Sequence, residues 1–209
     1  MTEAAEVIKQ LTEAGASLAQ RGWLLGTSGN LSATLDFEPL RLVITSSGED
    51  KGKLAPTGFV EVDGDGRVLS GNGRASAESA LHNVIVRRKK AGSVLHVHST
   101  WATVLSNVYA PQGGIAITGY EMLKGLSGIN THEHTEWLPI LENSQDYGAL
   151  SARLDSVLLE HPDAHGVLLR GHGLYTWGLS VNEAQRHVEI LEFLLEVVGQ
   201  SQLIRGDRR

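Results

Sequence analysis

The chain has 209 residues, a net charge of −6 and 41% hydrophobic residues, which suits one globular domain over 1–209 and not a disordered chain. Its 24 carboxylates against 18 Lys and Arg disfavour a nucleic-acid partner, which would call for surplus cations. With no cysteine, disulfides and thiolate metal sites are excluded, so any metal must be held by the nine histidines and the carboxylates.

The N-terminus lacks the basic head and apolar middle of a secretion signal, and no run suits a membrane helix. A cytoplasmic protein without a membrane partner is expected. Ala4, Val7, Ile8, Leu11, Ala14 and Leu18 fall at helical spacing, with Thr2 as N-cap and Gly22 as the stop. The turn-rich loop Gly26-Thr27-Ser28-Gly29-Asn30 follows. Leu31 to Leu35 and Leu40 to Thr45 read as strands joined near Pro39. Phe59 to Val62 and Arg67 to Leu69 flank Asp63-Gly64-Asp65-Gly66, a hairpin signal. Ala77 to Lys90 reads as a helix capped by Ser76, with cations at its C-terminal end.

No Asp, Glu, Lys or Arg occurs from Ala91 to Tyr120, and this stretch reads as buried core strand plus site lining. Strands are expected at Val94 to His98 and Ile115 to Ile117. Residues 146–160 read as a helix stopped by Pro162, and Gly166 to Leu169 and Leu174 to Trp177 as strands. Ser180-Val181-Asn182-Glu183 is a capping box that opens a last helix. Interspersed strands and helices predict an α/β or α+β layered domain.

Several nucleotide and calcium motifs fail on inspection. Gly48 to Lys53 has the wrong spacing for a phosphate loop, and Ser76 replaces the third glycine that a dinucleotide fingerprint would need after Gly71-Asn72-Gly73. Asp63-Gly64-Asp65-Gly66 lacks the remaining ligands of a calcium loop. His96-Val97-His98 is different. Residues i and i+2 of a strand share a face, so two imidazoles there can chelate one cation. The pair alone is equally consistent with two hydrogen-bonded core histidines. His172, framed by Gly171 and Gly173 after an apolar run, offers a third nitrogen, and three neutral nitrogens with an open position form the catalytic zinc arrangement. His132-Glu133-His134 lies in polar surroundings and reads as a loop or exposed strand edge. His82, one helical turn beyond Glu78, reads as packing or pairing. His161, His165 and His187 carry no constellation.

Taken in order, Gly26 to Ser32, Thr45-Ser46-Ser47-Gly48, Ser76-Ala77-Glu78, His96-Val97-His98-Ser99 and His172-Gly173 resemble the class II aldolase/epimerase (adducin-head) family over nearly the whole chain. Gly119 to Gly125, Leu138-Pro139-Ile140 with Glu142-Asn143, and Arg170 to Gly178 resemble a branch that dehydrates a ketose 1-phosphate in methionine salvage. The resemblance implies a three-layer α/β/α fold with a mostly antiparallel sheet, one Zn2+ per subunit, and a homotetramer with active sites near subunit contacts. It implies His96, His98 and His172 as metal ligands. It implies Gly29, Asn30, Ser47, Gly48 and Ser76 as phosphate loops, and turn amides with short hydroxyls do form anion nests. Lys51 either adds charge there or is a solvated loop lysine. Ala77 departs from members that carry a second hydroxyl.

For such a substrate, a proton leaves carbon 3, a metal-stabilised enediolate forms, and a carboxylate protonates the hydroxyl leaving carbon 4. The resemblance favours Glu121 as the main acid/base, with Glu78, which occupies the acid/base position of the aldolases, as a metal-proximal or secondary group. Trp23, Leu24, Trp101 and Tyr120 are candidates by type for an apolar substrate pocket. A sugar-phosphate aldolase, an epimerase and a non-catalytic adducin-like binding module remain the alternatives.

Overall fold

A computed structural model describes residues 3–206. The expected cap at Thr2 lies outside the described residues. Five α-helices and nine strands are formed among the described residues: α1 (Glu3–Gln20), β1 (Asn30–Phe37), β2 (Leu40–Thr45), β3 (Phe59–Asp63), β4 (Val68–Ser70), α2 (Ser79–Lys89), β5 (Ser93–Val97), α3 (Thr100–Tyr109), β6 (Gly114–Thr118), β7 (Thr135–Leu141), α4 (Tyr147–Glu160), β8 (Gly166–Leu169), β9 (Gly173–Gly178) and α5 (Val181–Gly206). The strands make one sheet in the order β4-β3-β2-β1-β5-β9-β8-β7-β6. Every neighbouring pair is antiparallel except β7 and β8.

Strand periodicity divides the apolar residues between two cores. Leu31, Leu95, Val97 and Leu174 face α1, α3 and α5. Val94, Val167, Tyr175 and Trp177 face α2 and α4. This is the expected α/β/α sandwich. No helix of the described residues is long and apolar enough to cross a membrane.

Most predicted elements form within a residue or two of their expected ends. Gly22 closes α1 with φ +77°, the left-handed conformation a helix C-terminus favours, while Trp23 N donates to Leu18 O at 3.2 Å. Two elements were not expected. The charge-free stretch holds α3, which begins where Ser99 Oγ accepts from Ala102 N at 3.0 Å. Its run of β-branched and aromatic residues carries weak helix propensity, and burial of Ala102 and Leu105 overrides it. β7 was hidden by Pro139, which removes a ladder donor. Here Pro139 pairs with Gly114, and the strand resumes with Ile140 N donating to Gly113 O at 2.9 Å.

Two further expectations are adjusted. α2 begins at Ser79, not Ala77; Ser76 Oγ accepts from Glu78 N at 3.2 Å and caps the turn ahead of the helix. In the capping box of α5, Ser180 Oγ accepts from Glu183 N at 3.2 Å, while the Glu183 carboxylate turns back to Leu179 N.

Candidate metal centre and anion cavity

The β5–β9 register brings distant segments together. Val97 pairs with Leu174 and His96 with Tyr175. The residues just past the end of β5 and just before the start of β9, His98 and His172, are therefore neighbours. Gly173 permits this approach: a Cβ there would lie 2.1 Å from Val97 O. On the other side of β5, Asn30 pairs with His96. Gly29, with φ +72°, makes that turn possible, because a side chain would meet Leu24 and His96 O within 2.5 Å.

The three Nε2 atoms converge. They are 2.8 Å apart for His96–His98, 3.2 Å for His96–His172 and 3.0 Å for His98–His172. His96 Nδ1 donates to Leu174 O at 3.0 Å, so its Nε2 is left with a lone pair. A triangle this tight has no room for an N–H at every corner. Lone pairs face one another, and a cation relieves that repulsion. A cation about 2.0–2.1 Å from each nitrogen needs N–N edges of roughly 3.3 Å, a few tenths more than these. Glu78 completes the group: its Oε1 is 3.2 Å from His172 Nε2 and 3.7 Å from His96 Nε2. The four donor atoms lie within 4.8 Å of one another, and they suit a divalent metal.

The electrostatics agree. Burial holds His96 well below its ordinary value and lowers His98 to about 4, so both imidazoles are neutral at pH 7, the form a metal would need. Burial opposes ionisation of Glu78, but the adjacent His172 and His96 imidazoles and a hydrogen bond from Asn30 outweigh it and keep the carboxyl well below the usual range. Tyr175, which sequence reasoning gave no role, stacks on His96 with centroids 3.8 Å apart and an interplanar angle of 10°.

Beside this cluster lies a cavity of about 130 Å³, and Gly29, Asn30, Ser47, Gly48, Lys51 and Ser76 all line it, together with Glu78 and His98. Two lining hydroxyls, Ser28 Oγ and Ser46 Oγ, are buried and unpartnered. They were not singled out, although they sit in the same two turns. Lys51 is no solvated loop lysine: it is 2% exposed and donates to Thr27 O at 2.7 Å. Burial lowers its pKa, and Glu78, Glu49 and Asp50 partly offset this. Ala77 is exposed and does not line the cavity.

Other candidates fall elsewhere. β5 runs toward the cluster, β9 away from it, β8 and its parallel neighbour β7 toward it again, and β6 away from it. Glu121, which follows β6, is thus at the opposite end of the sheet and four strands from β5, about 19 Å across at 4.7–4.9 Å per step. Its side chain is 72% exposed and pairs with Lys124 at 2.5 Å. His132 is exposed near Glu121, and His134 bonds Glu136 at 3.1 Å; neither joins the metal group. Leu24 is buried in the core, with Trp23, Trp101 and Tyr120 packed against it, and none of the four lines the 130 Å³ cavity. A larger cavity, about 470 Å³, opens at the Glu121 end, lined by His134, His165, Glu183 and His187 among others.

The comparisons with known proteins fit this geometry. The family described as "Class II Aldolase and Adducin N-terminal domain" matches residues 9–198. A protein of Stenotrophomonas maltophilia (strain R551-3) named methylthioribulose-1-phosphate dehydratase is 42% identical over 96% of this chain and 93% of its own. One of the same name from Hahella chejuensis is 44% identical over 90% and 89%. The crystal structure of L-fuculose-1-phosphate aldolase from Thermus thermophilus superposes with a TM-score of 0.76 at 25% identity, covering 97% of this chain and 98% of that one. A sugar-phosphate aldolase from Thermotoga maritima shares the fold, with a TM-score of 0.72 at 20% identity over 95% and 96%. The chain belongs to the class II aldolase and adducin family.

Proposed function

We propose that this chain, working as a single domain, is a zinc-dependent hydro-lyase that converts 5-methylthioribulose 1-phosphate into 2,3-diketo-5-methylthiopentyl 1-phosphate and water in methionine salvage. The observation that carries the reading is the convergence of three imidazole Nε2 atoms and a carboxylate beside an anion cavity. Whole-chain similarity to proteins named methylthioribulose-1-phosphate dehydratase supplies the substrate. Zinc is favoured by three neutral nitrogen donors with an open position. Bound there, it would act as a Lewis acid toward the substrate's oxygens.

The chain's own residues do the rest. Ser28 and Ser46 hydroxyls, the Gly48 and Ser76 turns and the Lys51 ammonium take the phosphate. This anchors the 1-phosphate end and leaves carbons 2 to 4 toward His98 and Glu78. Glu78, ionised, stands beside the ligands as the metal-proximal group. Glu121 is the acid/base that protonates the departing hydroxyl. Since it lies at the wrong end of its own sheet, it acts on the centre of a neighbouring copy, in a homotetramer whose sites sit near subunit contacts. The compartment that fits this metabolism is the cytoplasm.

A sugar-phosphate aldolase is the second reading, favoured by one observation: Glu78, the aldolase-type carboxylate, is the one at the cluster. The test is a product assay with methylthioribulose phosphate beside other ketose phosphates. Diketone formation supports dehydration. Release of an aldehyde assigns the chain to the aldolases, and metal binding with no turnover of any sugar phosphate assigns it to the binding modules.

A further inference from the structure

The carboxylate at the centre is held from behind by a buried chain of side chains. Glu78 Oε2 accepts from Asn30 Nδ2 at 2.5 Å. Asn30 Oδ1 meets His82 Nε2 at 2.5 Å, and His82 Nδ1 meets Ser32 Oγ at 2.7 Å. His82 is 0% exposed, Ser32 0% and Asn30 3%. His82 is not one of the clustered donors; it lies one helical turn beyond Glu78 on α2, edge-on to Tyr175.

The proton positions follow from one end. An ionised carboxylate only accepts, so the Asn30 amide must turn its NH2 toward Glu78 and its oxygen toward His82. That oxygen requires an N–H, so His82 carries its proton on Nε2. Nδ1 is then an acceptor, and the Ser32 hydroxyl donates to it. Each donor points the same way, toward the negative charge, and such a chain strengthens its members in a dry interior. A flipped Asn30 amide would set oxygen against oxygen.

We infer that His82 is a positioning residue for the metal centre: through Asn30 it fixes the Glu78 carboxylate so that Oε1 faces the imidazole Nε2 atoms. Ser32 supports this role by locking the His82 tautomer. The arrangement also ties the anion cavity to the centre, because Asn30 lines that cavity with the same side chain that holds Glu78.

The inference rests on reading Glu78, His96, His98 and His172 as a metal site, and the experiment separates the two. Co2+ is titrated into metal-free wild type, His82→Phe, His82→Gln, Ser32→Ala, Glu78→Ala and the His82→Phe/Glu78→Ala double variant, with circular dichroism as the folding check. Phe keeps ring volume but has no hydrogen bonds; Gln restores a donor near the Nε2 position. Expected for His82→Phe is a loss of 10- to 100-fold in metal affinity, the range for outer partners of a ligand. Its visible Co2+ spectrum should shift toward that of Glu78→Ala. His82→Gln should recover most of the loss, and His82→Phe should add nothing in the Glu78→Ala background.

A folded His82→Phe with unchanged affinity and spectrum overturns the proposal, as does an equal loss with Glu78 absent. Should His82→Phe fail to fold, Ser32→Ala decides: a spectral shift of the same direction and smaller size upholds the relay, and an unchanged spectrum overturns it. A wild type that binds no Co2+ removes the metal reading itself, whereas dehydration activity with an indifferent His82 removes only the relay.

Discussion

Histidines and a carboxylate gather at both ends of the sheet, and the two gatherings differ in where their nitrogens point. At one end, three Nε2 atoms face a common point within 3.2 Å of one another. At the other, each nitrogen of His165 and His187 has a partner of its own. His165 faces Glu136 Oε2 at 3.0 Å through Nδ1 and Ser127 O at 2.8 Å through Nε2. His187 Nδ1 donates to Trp177 O at 2.7 Å, and Nε2 accepts from Ser127 N at 3.1 Å. The second group is a satisfied network that fastens the 126–129 turn to β7, β8 and α5. What suits one end to a metal is thus lone pairs with nothing to receive them, not the number of histidines or the size of the adjoining cavity.

Removing one corner of the triangle should have the largest effect. His96→Ala should lose bound metal, measured by elemental analysis, and more than about a hundredfold in kcat/KM, beyond what outer partners alone command. Full metal content in that variant would contradict the ligand set and erase the difference between the two ends.

Next in size is Glu121→Gln. It should keep its metal and lose roughly 10²- to 10⁴-fold in kcat, the scale of one acid/base group. Because that residue and the triangle belong to opposite ends of a protomer, mixing inactive His96→Ala and Glu121→Gln chains after unfolding and refolding should restore part of the activity. No recovery in the mixture would confine the chemistry to groups of one protomer.

The smallest effect on activity is expected at the other end. Burial alone would lower the pKa of His165, but Glu136 and Ser127 O raise it above its ordinary value. Its contribution to stability is therefore complete below about pH 6.5 and is lost as pH rises through the raised value. Glu136 is depressed despite its burial, by His165 and His134, so its contribution is present above about pH 4.3 and is lost as pH falls through the depressed value. Glu136→Gln should leave metal content untouched and cost about 3 kcal/mol near pH 6, or roughly 6–12 °C in Tm. The deficit should shrink in alkaline buffer, where the wild-type His165 has also lost its charge and no ion pair remains to be broken. An equal deficit at all pH values would show that no ion pair is present.

How much was legible in the sequence follows from the range of each signal. His96 and His98 were readable because strand period acts over two residues, and His172 because its glycines mark a close approach. The satisfaction of His165 and His187 depends on Ser127, Trp177 and Glu136, partners from three other segments, which no local pattern reports. α3 and β7 were hidden by local chemistry that opposes their final state: weak helix formers in one, a proline in the other. The Lys51 alternatives could not be resolved without knowing that α1 and the 26–30 turn close over it. Glu121 was put forward by resemblance alone, and its distance from the triangle is a property of strand order that motifs do not carry.

His98 and His172 are 74 positions apart along the chain, yet their Nε2 atoms meet at 3.0 Å. A cation held between them would act as a reversible cross-link closing about a third of the chain, one that the unfolded chain cannot offer at comparable affinity. An ion bound there would thereby resist denaturation as well as serve the proposed chemistry, and a chelator would strip the protein of both at once.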